Sequence, residues 1–175
     1  MSKVLVVAPH PDDETLGCSG TLFRHRSEGD KLYWVIVTGI SESTGWSKSE
    51  VKKRDEEIEL VNGKYGFSKM FNFSFPTVKL DSFPMSDFID KISEVYKQIK
   101  PEVIYMPFYH DVHTDHQIVA KAMQSSIKWF RHPYIKKVFV YETPSETEFA
   151  FVEGRSFRPN VFVDISDHLE KKIET

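Results

Sequence analysis

The chain has 175 residues, 40% of them hydrophobic and 14% aromatic, enough to bury one sizeable core over residues 1–175 as a single domain. A net charge of −3 argues against nucleic acid or an anionic membrane as the main partner. Cys18 stands alone, which excludes an internal disulfide and fits a reducing cytoplasm, and no apolar run reaches the length of a membrane span or a signal-peptide core.

Val4 to Ala8 reads as a buried strand. It runs straight into His10-Pro11-Asp12-Asp13-Glu14. A helix is predicted from Asp13 to about Gly29, with Leu16, Leu22 and Phe23 as apolar positions; Gly17 and Gly20, one turn apart, would let it pack close to a sheet. Tyr33 to Thr38 is a second buried strand, and Gly39 to Gly45 a polar loop. The spacing of Val51, Ile58 and Val61 predicts a helix over 47–61. Arg54 falls on the same face: it either snorkels to the surface or reaches a cleft to hold a polar substrate, with Glu57 one turn on to orient it.

Met70 to Phe75 reads as a short strand and 76–84 as an irregular link. Ser86 to Ile99 carries the clearest amphipathic stripe, stopped by Pro101. Glu102 to Pro107 is the next strand, followed by a loop over 108–113 and a helix from Thr114 to about Phe130 with Val119, Met123 and Ile127 inward. Lys136 to Glu142 and Val161 to Ile165 are read as later strands. This alternation predicts an α/β fold, a Rossmann-like three-layer sandwich with a mostly parallel sheet and helices on both faces.

Two polar clusters follow buried strands. In open α/β sheets, ligands bind off the carboxyl ends of strands near the point where strand order reverses. Pro11 and the acids of the first cluster also suit a helix start, but a helix start does not account for His10. The second cluster is His110-Asp111-Val112-His113-Thr114-Asp115-His116. His116 opens a helix whose inward stripe includes Val119 and Met123, so it should point to the sheet end. Together His10, Asp13 and His116 form a two-His, one-carboxylate set, the arrangement of an open, catalytic zinc site. Non-haem Fe(II) uses the same ligand types, so Fe2+ is an alternative occupant beside Zn2+. Gly17-Cys18-Ser19-Gly20 lacks the spacing of a phosphate loop and is read as packing.

These residues resemble the LmbE-like, or PIG-L-like, metal-dependent N-acetylglucosaminyl deacetylases. The signatures are His10-Pro11-Asp12-Asp13-Glu14 after the first strand, His113-Thr114-Asp115-His116 in mid-chain, and Arg54-x-x-Glu57 between them. The resemblance implies that His10, Asp13 and His116 bind the metal and that Asp12 is the general base. It implies that a protonated His113 stabilises the oxyanion or donates a proton, held by Asp115, whose carboxylate serves either His113 or His116. Asp111 is implied to touch the sugar. Glu14 is read as serving the helix terminus or bonding near the site, and His110 is left outside the ligand set. Trp46, Phe75 and Phe83 are candidates to pack on a sugar face, with core or surface roles equally open. The expected reaction is removal of the acetyl group from an N-acetylated amino sugar or glycoconjugate, releasing acetate. The alternatives are hydrolysis of another amide or ester bond, or a non-catalytic sugar-recognition module. The resemblance also favours a homo-oligomer and implies a longer carboxyl-terminal region than the one that ends at Thr175.

Overall fold

Strand β1 (Lys3–Ala8) is apolar on both faces because both are covered: Val4 to Ala8 are completely inaccessible to solvent. In this computed structural model, which describes residues 1–150, 154 and 156–175, β1 lies at the centre of five parallel strands in the order β3-β2-β1-β4-β5. The others are β2 (Lys31–Gly39), β3 (Lys69–Pro76), β4 (Val103–Pro107) and β5 (Lys137–Tyr141). The α/β expectation holds.

Alternate residues of each central strand feed two separate cores. Val4, Val6, Trp34 and Ile36 pack on one face with Leu22 and Phe23 of α1 (Asp13–Ser27) and Ile58 and Tyr65 of α2 (Lys48–Tyr65). Leu5, Val7, Val35 and Val37 pack on the other, against α3 (Met85–Ile99) and α4 (Thr114–Ser126). Of the stripe predicted for α3, Phe88, Ile92, Val95, Tyr96 and Ile99 are buried, and Ile89 packs on the same core while partly exposed. Each such side chain contributes about 1.5–3 kcal/mol over its exposed state.

Helix ends follow local chemistry. Ser47 and Glu50 form a reciprocal capping box at the start of α2, and Gly66, at φ 63°, ends it four residues beyond the expected stop. Helix α4 ends at Ser126, short of Phe130, because the chain turns back before β5.

Gly17 and Gly20 do permit close approach, but to different partners. A Cβ on Gly17 would stand 2.4 Å from the Tyr141 ring at the end of β5; one on Gly20 would stand 2.5 Å from Ile165. That second contact corrects the reading of Val161 to Ile165 as a strand. These residues carry no strand pairing; the segment instead crosses α1 and seats Ile165 in the notch at Gly20, leaving Phe162 82% exposed. A short helix α5 (Leu169–Ile173) follows. No helix among the described residues is long and apolar enough to cross a membrane.

Strand order reverses between β1 and β4: the chain steps outward from β1 to β3 on one side, then returns to β4 and β5 on the other. The loops leaving those two adjacent strands therefore open onto a common crevice.

Candidate functional site

Beyond β1, Thr38 of β2 holds the Pro9 carbonyl with both its amide (2.9 Å) and its hydroxyl (2.8 Å), fixing the chain as it leaves the sheet. Asp12 is the N-cap of α1 but makes no side-chain cap bond, and its carboxylate has no hydrogen-bond partner among the described residues. Beyond β4, His113 is the N-cap of α4, which places Asp115 and His116 in the first turn of that helix, both buried. The two clusters meet. His10 Nδ1 stands 3.3 Å from Asp13 Oδ2 and 3.2 Å from His116 Nε2, and His116 Nε2 stands 3.2 Å from Asp13 Oδ2. Three donors bound tetrahedrally at about 2.0–2.1 Å are separated by about 3.3 Å, so this triangle has the dimensions of one face of such a site.

The outer nitrogens decide the tautomers. His10 Nε2 donates to Asp115 Oδ2 (3.1 Å) and His116 Nδ1 donates to Asp111 Oδ2 (2.8 Å). Each neutral ring then turns a lone pair inward, toward the same point as a carboxylate oxygen. Three converging lone pairs repel one another unless a cation lies between them, and carboxylates behind metal-binding histidines are the usual support. Protons take the cation's place otherwise. Burial works against charge on His10, but Asp115 and Asp13 outweigh it and lift its pKa to about 9. Burial is likewise overcome at His116 by Asp111 and Asp13, giving about 9, and the same histidines overcome burial at Asp13 and hold it at about 2. The donor set fits a divalent metal.

Two expected contacts are corrected here. Asp115 serves neither His113 nor His116 with its carboxylate: it accepts from His10 across the crevice, and also from the backbone amides of Val78 (2.7 Å) and Leu80 (3.4 Å). Asp111 does not face a sugar; at 1% exposure it lies behind His116. His113 also departs from the protonated form expected of it. Its Nδ1 accepts the Asp115 backbone amide at 3.1 Å, which leaves the proton of the neutral ring on Nε2. Burial, together with the neighbouring His10 and His116, lowers its pKa. One nitrogen of His113 lies within 4.8 Å of those of His10 and His116, but that tautomer makes its outward nitrogen a donor. Glu14 is fully buried, bonded through Oε1 to Thr15, and pushed up to about 8 by burial.

A cavity of about 330 Å³ opens over His10, Asp12, Asp13 and His113. Arg54 lines it, half-buried, with Nε 3.6 Å from Glu57 Oε2, so the inward face given to it by the helical spacing does look onto the crevice. Asp12 feels that arginine. Burial first and Asp13 second raise the Asp12 pKa, against the opposing pull of His10 and Arg54. Of the three aromatic candidates, Phe75 and Phe83 belong to the core, while Trp46 is 41% exposed and lines the cavity.

Ser74 and Thr77, from the 74–84 segment that the sequence offers as a wall of the cleft, line it as well; the sequence reading missed Asn72, Thr143, Ser145 and Glu146, which also face the cavity. Thr143 Oγ1 is buried without a hydrogen-bond partner among the described residues. Ser74 (φ 54°), Val78 (φ 60°) and Ser145 (φ 78°) hold left-handed backbone around the site, a strain that only surrounding structure can maintain. No local pattern announces such residues. A larger cleft of about 920 Å³ lies between β5 and residues 156–165, and it holds none of the converging acids.

Residues 5–127 match the family model of the GlcNAc-PI de-N-acetylases, PIG-L. The chain belongs to that family. It is 28% identical over 170 residues to the uncharacterized deacetylase YaiS of Escherichia coli, spanning 94% of this chain and 82% of that one. To the diacetylchitobiose deacetylase of Thermococcus kodakarensis it is 26% identical over 185 residues, 99% of this chain and 67% of the relative. Among solved structures, GalB, the 4-carboxy-2-hydroxymuconate hydratase of Pseudomonas putida, superposes with a TM-score of 0.73 at 22% identity, covering 99% of this chain and 77% of GalB. That likeness concerns the fold, which by itself does not choose a reaction. Family and named relatives do: this is an enzyme of the deacetylase class, in a metal-dependent family.

Proposed function

We propose that the chain is a zinc-dependent deacetylase that hydrolyses the N-acetyl group of an N-acetylglucosamine-type sugar or small conjugate, releasing acetate. The observation that carries the reading is the triangle of inward donors on His10, Asp13 and His116 beside an unpaired Asp12 carboxylate at the floor of a sugar-sized cavity. His10 Nδ1, Asp13 Oδ2 and His116 Nε2 would hold the metal, and Fe2+ would use the same ligands. When bound there, such an ion supplies a Lewis acid that eases deprotonation of water near neutral pH and polarises the acetyl carbonyl.

The residues around it do the rest. Asp12 is a base strengthened by burial and by Asp13, and it takes a proton from the attacking water as the C–O bond forms. His113 donates from Nε2 to the oxyanion that develops on the carbonyl oxygen; a donor aimed at that position is worth roughly 3 kcal/mol of barrier. Being neutral, it provides a hydrogen bond rather than a charge. Asp12 then returns its proton to the sugar nitrogen, the C–N bond breaks, and acetate and the amine leave. Asp115 and Asp111 position the two histidines. Arg54 reaches the sugar's hydroxyl groups, and Trp46 offers a face for its ring.

The relatives' names point to glucosaminyl substrates, and the cavity volume, near the low end of small-molecule sites, suits one amino-sugar unit with any further group left outside. The test is acetate release by zinc-loaded protein from N-acetylglucosamine and N,N'-diacetylchitobiose, against an Asp12→Asn control. Release that the control lacks supports the reading. Equal background from both proteins contradicts it, and turnover of an activated ester without acetate from sugars would move the function to another hydrolysis.

A further inference from the structure

The opposite pole of the sheet carries a feature with no part in the site. After α4 ends, Arg131 donates its amide to the Lys128 carbonyl at 2.9 Å, closing a tight turn with Trp129 and Phe130 as its two central residues. Their side chains are 80% and 62% exposed. The base of the turn is firmly rooted. His132 is buried and its Nδ1 donates to the Tyr134 hydroxyl at 2.7 Å, which in turn donates to the Tyr96 carbonyl in α3 at 3.1 Å. Two large aromatic rings are thus held out in water by a pre-ordered turn, although nothing about the turn requires them.

The charged residues next to them along the chain have one sign. Lys128 and Arg131 flank the rings, Lys136 and Lys137 follow, and residues 127–137 contain no Asp or Glu. Burial first, and then Arg131 and Lys97 at the end of α3, disfavour protonation of His132. One of these cations is already paired, Lys136 with Glu102 at 2.6 Å. The whole-chain charge of −3 conceals this local excess.

We infer that the Lys128–Arg131 turn is a docking surface for an anionic lipid bilayer, with Trp129 and Phe130 entering the interface and the flanking cations contacting headgroups. Tryptophan favours the boundary between headgroups and acyl chains, and each cation near an anionic surface gains about fivefold in affinity. A second copy of the chain fits less well, because a symmetric contact through this turn would set Lys128 and Arg131 against their own counterparts. The geometry has a consequence for access. Helix α4 begins at the site and ends at the turn, 13 residues or about 20 Å away. A docked molecule would therefore keep its crevice facing the aqueous phase and would take water-soluble substrates.

The test is co-sedimentation of the full chain with phosphatidylcholine vesicles, with and without phosphatidylglycerol. Wild type should pellet only with the anionic vesicles and should release as salt approaches 1 M, where screening falls to about 3 Å. Trp129→Ala with Phe130→Ala, and separately Lys128→Gln with Arg131→Gln, should each weaken binding about tenfold or more while leaving the circular dichroism spectrum unchanged. Wild type remaining in the supernatant, or variants that pellet as well as wild type, would overturn the inference. So would a concentration-dependent dimer in light scattering that the double aromatic variant dissolves, with no vesicle binding; the surface would then join copies of the chain.

Discussion

The segments that leave β1 and β4 each bring one histidine to the triangle of inward donors, yet they hold it differently. His116 is braced from within its own loop by Asp111, five residues earlier. His10 is braced from across the crevice by Asp115, which also ties down the backbone of Val78 and Leu80. The β4 side is therefore self-supporting, whereas the β1 side depends on a carboxylate that His10 shares with the backbone of Val78 and Leu80. Damage to the first should stay local, and damage to the second should spread to the wall of the cavity.

The strongest way to break this comparison is to remove a donor. His116→Ala should leave the protein metal-free after dialysis and without measurable deacetylase activity, read by metal analysis and acetate release; a variant that keeps its metal would remove His116 from the proposed set. Next is Asp12→Asn, which should retain metal while kcat falls about 10²–10⁴-fold, as loss of a general base does. Loss of metal in that variant would make Asp12 a ligand instead.

The braces separate the two sides directly. Asp111→Asn and Asp115→Asn should each weaken metal affinity about 10–100-fold, measured by competition with a chelator. Only Asp115→Asn should also raise KM, because a side-chain amide presents a donor to amides that need an acceptor and frees residues 77–80 beside the cavity. Equal KM values would mean that the shared brace is no different from the private one.

The smallest effect concerns strain. Val78→Gly and Lys100→Gly each replace a side chain held at positive φ, so each should stabilise the fold by about 1 kcal/mol in denaturant titration. Val78→Gly alone should alter KM, since its amide is bonded to Asp115 and the Lys100 turn lies at the far end of α3.

Much of this was legible in the sequence, for identifiable reasons. Val4 to Ala8 and the stripe of α3 announce themselves by pattern, and β1 could be read as buried because its apolar run leaves neither face suited to water. His10, Asp13 and His116 stand at strand and helix ends, where local grammar fixes direction. The partners of Asp111 and Asp115 were not legible, because adjacency along the chain suggests His113 or His116 while the choice is made by where another loop crosses. Thr143 and Glu146 enter the cavity through a turn after β5 whose course no periodicity records. Val161 to Ile165 has the composition of a strand but packs on α1 at Gly20, a tertiary fit that alternation cannot reveal. Trp129 and Phe130 continue the apolar pattern of α4 on paper, and only the turn at Lys128 shows that they face outward.

The most direct measurement is anomalous diffraction at the zinc edge from a crystal of the zinc-loaded protein. The account predicts a single strong peak about 2.0–2.2 Å from His10 Nδ1, Asp13 Oδ2 and His116 Nε2. A peak held instead by His25 and Asp30 at the other end of α1, or no peak between the two loops, would contradict it.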